Sequence, residues 1–165
     1  MRDLVAAGVA LLLLIVAASL GTTLTVYRKR RRQNRDRERS LGRTIIAEIP
    51  ADDDLVLFTE DERQFHYGAK AVDKDTIAAV RVLINGAPIA ACISKRHAAG
   101  AGIQPTSFED RPEGIARDRW DVAIERVDGT TLVECGAIRE RISQELARAV
   151  FDAVKRDIER RDGVL

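Results

Sequence analysis

"IAAVRVLINGAPIAACIS", residues Ile77–Ser94, consists of two apolar runs joined by Asn85–Gly86. Asn-Gly accepts the positive φ angles of a two-residue type I′ turn, so the stretch predicts a β-hairpin. Apart from Arg81, neither run carries a charge on either face. Strands that are apolar on both faces are expected at the centre of a core. Pro88 falls at the start of the second strand, where a missing N–H does little harm. The hairpin points to a domain built on antiparallel sheet.

On either side of it the apolar residues also recur with a period of two. TIIAEI (Thr44–Ile49) stops at Pro50 and a turn at Asp52–Asp53–Asp54. LVLFTE (Leu55–Glu60) and RQFHYG (Arg63–Gly68) flank a short turn at Asp61–Glu62, with Phe65 and Tyr67 on one strand face. Downstream, WDVAIERV (Trp120–Val127) and TTLVEC (Thr130–Cys135) flank Asp128–Gly129. There Trp120, Val122 and Ile124 alternate with Asp121 and Glu125, which predicts one buried face and one wet face. The segment Ala137–Arg161 then repeats Ile138, Ile142, Leu146, Ala149, Val150, Ala153 and Val154 at helical spacing. This predicts a long amphipathic helix, entered after Gly136 and packed on the sheet. The stripe is short and holds no strict heptad, so a dimer seam is the weaker reading.

Seven strands followed by one helix predict an α+β domain over residues 44–165. Its expected form is a mainly antiparallel sandwich or partly open barrel capped by the C-terminal helix. This order of elements is similar to the pleckstrin-homology-like superfold. The resemblance is one of topology alone, and it implies a lipid- or peptide-binding domain without assigning any residue a role.

The N-terminal part has a different composition. Leu4–Val26 is 23 residues without a charge or a proline. As a helix it is roughly 34 Å long, enough to cross a hydrocarbon core of about 30 Å. Tyr27 falls at headgroup level, and the consecutive cations Arg28, Lys29, Arg30, Arg31 and Arg32 follow at once. A cleaved signal peptide has a shorter apolar centre and no such stop-transfer cluster. The expected organisation is a transmembrane anchor over 1–27, a basic juxtamembrane linker over 28–43 and a folded domain over 44–165. Residues Arg28–Arg43 hold nine basic and two acidic side chains, whereas Thr44–Leu165 hold 17 basic and 23 acidic. Cationic flanks stay on the cytoplasmic side, so the N-terminus is expected outside and the domain in the cytoplasm. A nucleic-acid arm would explain the charge but not its place directly after the span.

The chain shows no motif that carries chemistry. Cys92 and Cys135 are the only thiols, and Cys135, at the expected entry of the helix, is the better candidate for a lowered pKa. His66 and His97 lack zinc-ligand spacing, and Asp52–Asp54 lacks the glycine and distant glutamate of a calcium loop. Gly100–Ala101–Gly102 has neither the lysine of a P-loop nor a third dinucleotide-binding glycine. No catalytic, cofactor or metal residue is therefore assigned. The irregular stretch Lys95–Arg119 is long enough to be functional or mobile.

These features lead to the expectation of an interaction or accessory module of a membrane complex, docking through that stretch or a sheet edge. The alternatives are a tethered enzyme, with His97, Cys135 and the acids of Lys95–Arg119 as first suspects, and lipid binding, which the domain's net negative charge opposes. The anchor gives a direct test. The chain should stay in the membrane fraction through high-salt and carbonate washing, because a span does not depend on screened charges. A tag at Leu165 should be protected from protease in intact cells and cut in inverted vesicles, and the reverse pattern would overturn the orientation.

Overall fold

The computed structural model describes residues 25–26, 28–51, 55–96 and 119–163. The chain divides into two compact units, residues 1–41 and 42–165. In the first, residues 28–40 form a helix, α1, with largely exposed side chains. Ser40 Oγ donates to the Arg37 carbonyl at its end, 2.7 Å away. The basic linker is thus helical to its last turn. The apolar run at 4–26 lies outside the described residues apart from its last two. Among the described residues no helix is long and apolar enough to cross a membrane.

The second unit is α+β and contains two antiparallel four-stranded sheets. Strands β1 (Thr44–Pro50), β2 (Leu55–Glu60), β3 (Gln64–Tyr67) and β4 (Lys70–Asp73) form a simple meander. The second sheet has the order β6-β5-β7-β8, from β5 (Ile77–Ile84), β6 (Ala87–Ile93), β7 (Arg119–Arg126) and β8 (Gly129–Ala137). Helix α2 (Arg141–Arg161) packs against the second sheet and β1. Among the described residues there are eight strands, not seven, and they belong to two separate sheets. The strand that sequence reading misses is β4, whose four residues carry two charges and bury only Val72.

The Asn85–Gly86 turn has φ values of 50° and 77°. Both lie in the left-handed region, as a type I′ turn demands. One inference from the hairpin needs correction. Only β5 is central, paired with β6 on one side and β7 on the other. Strand β6 is the edge, with Ile89 and Ile93 55% and 46% exposed. Apolar composition cannot separate the two strands, because centrality depends on which strand later returns to pair.

The expected wet face of β7 is also corrected. Asp121 and Glu125 are 4% and 5% exposed. Their charges are balanced in place: Arg119 Nε lies 2.9 Å from Asp121 Oδ2, and Arg81 Nε lies 2.9 Å from Glu125 Oε1. Burial of a carboxylate requires such a partner.

A third correction concerns the final helix, which begins at Arg141, because β8 runs on to Ala137. Gly136, at φ 114°, is the reason the two elements fit together. A Cβ there would lie 2.5 Å from Ser143 Oγ in the first turn of α2. The buried stripe is Ser143, Ala147, Val150, Ala153, Val154, Asp157 and Ile158. Ile142 is 65% exposed, whereas Leu146 packs against the margin of the core. The core joins Ile49, Phe58 and Phe65 of the first sheet to Val80, Val122 and Ile124 of the second, with Val150 and Val154 of α2 against them. Phe58 and Phe65 stack with ring centroids 5.7 Å apart.

Val150 is fully buried, so Val150→Asp should cost several kcal/mol through an unpaired carboxylate. Arg148 is exposed one residue outside the stripe, and Arg148→Asp should change stability by less than about 0.5 kcal/mol. Thermal unfolding of the chain in mild detergent compares them, and equal losses would mean that α2 does not pack as described.

Candidate functional site

Strand β6, Ala-Pro-Ile-Ala-Ala-Cys-Ile, differs from the other sheet edges in one respect. Each of those carries charge: Glu48 on β1, Lys70 and Asp73 on β4, Glu134 on β8. Such charges blunt an edge against pairing with another chain. Strand β6 has none, and Ala87, Pro88, Ile89, Ala91 and Ile93 are exposed.

Its backbone orientation follows from one hydrogen bond. Ser94 donates its N–H to the Ala78 carbonyl at 2.8 Å. Alternation along an antiparallel ladder turns Cys92 and Ala90 inward as well. The N–H and C=O groups of Ala91 and Ile93 therefore point away from β5. Toward the hairpin turn the edge is blunted: Pro88 has no N–H to offer, and the register slips between Val82 and Leu83, which leaves Ile89 as a bulge. The usable edge is Ala90–Ser94.

Helix α2 runs alongside β6 in the same direction. Near the turn, Ile89 and Ala90 line an open groove of about 240 Å³ whose floor is apolar residues such as Trp120 and Phe151 and whose lining from α2 also includes Gln144, Arg148 and Asp152. The Trp120 indole N–H is buried there with no acceptor among the described residues. Further along, Cys92 lies beside Lys155 and Glu159. At the strand end the Asp162 carboxylate accepts from Ser94 Oγ at 2.9 Å and from the Lys95 N–H at 2.7 Å. Burial would raise the Asp162 pKa, but these bonds hold it below the usual carboxylate value. They pin the end of β6 to the end of α2.

The other candidate residues are dispersed. Arg28, Lys29, Arg30, Arg31 and Arg32 are exposed on α1. Tyr27, Asp52–Asp54, His97 and Gly100–Gly102 lie outside the described residues. So does most of Lys95–Arg119, whose ends are fixed at opposite ends of β5: Ser94 beside Ala78, and Arg119 bonded through its N–H to Asn85 Oδ1 at 3.1 Å. Cys135 does not sit at a helix entry. It is fully buried in β8, and burial, followed by the charge of Asp121, pushes its thiol up to about 12. A thiol so placed is not poised as a nucleophile. Burial raises the half-buried Cys92 thiol as well. Among the described residues no group of His, Cys, Asp and Glu is placed to hold a metal ion.

Sequence reading passed over one polar cluster. The β2–β3 turn brings Asp61 and Lys74 together in an open groove of about 480 Å³ formed with α2, and the buried His66 reaches Asp61 from the strand. Asp61 Oδ1 accepts from the N–H groups of Arg63 and Gln64, and Oδ2 lies 2.7 Å from His66 Nε2. Lys74 Nζ donates to the Asp61 carbonyl and sits over the Phe65 ring. These groups are spent on closing the turn. Comparisons with protein-family models, with curated proteins and with solved structures return no match.

The hydrogen bond to His66, with the two backbone donors, lowers the Asp61 pKa from 3.8 to about 2. A depressed carboxylate stabilises the fold above its unfolded pKa, and this is lost as pH falls through the folded value. The stability gap between wild type and Asp61→Asn should thus close as pH drops from about 3.8 to about 2. A gap independent of pH there would show that the ionised carboxylate does not hold the turn.

Proposed function

We propose that this chain is a membrane-held protein-interaction module. A single span over residues 4–26, flanked by Tyr27 and the cations Arg28–Arg32, holds the α+β domain at the cytoplasmic face of the bilayer. The domain offers β6 to an extended strand of a protein partner. The observation that carries this reading is the uncharged edge with outward backbone groups at Ala91 and Ile93. Strand addition uses such main-chain hydrogen bonds for affinity and adjacent pockets for specificity. The groove beside Ile89, with the unmet N–H of Trp120 behind it, is a pocket of that kind. Tethering raises the effective concentration of the edge for other occupants of the same membrane, so a short pairing segment can suffice.

The test is site-specific photo-crosslinking in native membranes. A photoreactive residue at Ile93 should give protein adducts. The same residue at Val127, 72% exposed in the β7–β8 turn, should give none. Equal yields at the two positions, or no adduct at Ile93, would overturn the reading.

A further inference from the structure

We infer that the strand docking on β6 is β6 of a second copy of this chain, paired antiparallel about a two-fold axis at Cys92. The inference rests on the docking role proposed above and names its partner. The outward backbone groups belong to Ala91 and Ile93, one on either side of Cys92. With the axis at Cys92, Ala91 of each copy faces Ile93 of the other, and both form hydrogen-bonded pairs. Every outward group of the usable edge then finds its complement, giving four inter-chain hydrogen bonds. An axis at Ala91 would instead set Ile93 against the bulged Ile89, where the register has slipped.

Three further features fit this axis. The facing residues are all apolar or small, so no like charges meet along the strands. Helix α2 runs parallel to β6, so the two copies of α2 lie antiparallel on the same face of the joined sheet. Lys155 and Glu159, one turn apart beside Cys92, are thereby set opposite their counterparts with signs reversed. Finally, a two-fold contact uses one edge of each copy against itself and closes. Pro88 and the bulge confine it to Ala90–Ser94. An exposed apolar edge of this kind would otherwise invite open-ended association.

The geometry sets Cys92 directly opposite Cys92 of the partner copy. They form a non-hydrogen-bonded pair, in which Cα atoms approach to about 4.5 Å, within the range a disulfide spans. Membranes holding the full-length chain are treated with copper phenanthroline under oxygen, so that two thiols give up two electrons and two protons to the oxidant and form one disulfide. The expected product is a covalent dimer on a non-reducing gel, abolished by Cys92→Ser with Cys135 left in place. Ala91→Pro deletes an outward N–H from each copy without cutting the ladder to β5. Two of the four bonds are lost, and the dimer yield should fall about tenfold. Ile93→Lys, which places a charge on the edge, should act in the same direction.

A dimer that forms equally well in Ala91→Pro and Ile93→Lys would overturn strand pairing. Absence of the Cys92 dimer, together with adducts from Ile93 to a different protein, would overturn the second copy while leaving the docking role intact. Absence of both would overturn the two together.

Discussion

Strand β5 carries eight residues with a single charge, and every backbone N–H and C=O along it must find a partner once the strand is buried. Its two edges are satisfied in different ways. One is closed at once by β6 through a two-residue turn, and the other is closed by β7 after a long excursion of the chain. Once β7 holds β5, β6 has no further strand beyond it among the described residues. The exposed edge is thus a consequence of burying β5, and its apolar composition is what sets it apart from the charged edges elsewhere.

The same requirement organises the charges of the second sheet. Arg81 and Arg119 sit one strand away from Glu125 and beside Asp121, so a face that alternation marks as polar becomes a buried array of ion pairs. Isolated, each carboxylate would be costly to bury. Paired, the array is tolerated rather than strongly stabilising, and replacing one member would leave its partner stranded. The net stability of the domain rests on the apolar side, where the first sheet, the second sheet and α2 converge on Phe58, Ile124 and Val154.

Helix α2 does two jobs through one alignment. Its inner stripe covers the second sheet, and its flank follows β6 from Ala147 beside the groove to Asp162 at the strand end. The bonds from Ser94 and Lys95 to Asp162 keep the edge in register with the helix. An incoming strand would therefore meet a surface that needs little ordering, which favours affinity from a short contact.

The sequence by itself determined the local elements whose causes are local. Asn85–Gly86 dictates its turn because few other dipeptides adopt two positive φ angles. The periods of two and 3.6 mark β1, β2, β3, β5, β6, β7, β8 and α2, since each reflects burial of one side of a repeating backbone. The uninterrupted apolar run beside Arg28–Arg32 was equally legible as a candidate span. Only the tertiary structure decided the rest. That β6 is an edge and not a centre depends on where β7 returns, 25 residues beyond Ser94, and no local pattern encodes that pairing. The burial of Asp121 and Glu125 depends on arginines from Arg119 and a neighbouring strand. Cys135 became inert, and α2 began four residues later than expected, because Gly136 lets β8 continue against Ser143. For β6 and Glu125 the deciding partners, β7 and Arg81, are distant in sequence. For Asp121 and Gly136 the partner is near but is brought into place only by the packed sheet and helix. None of these contacts therefore leaves a periodic trace in the residues that make it.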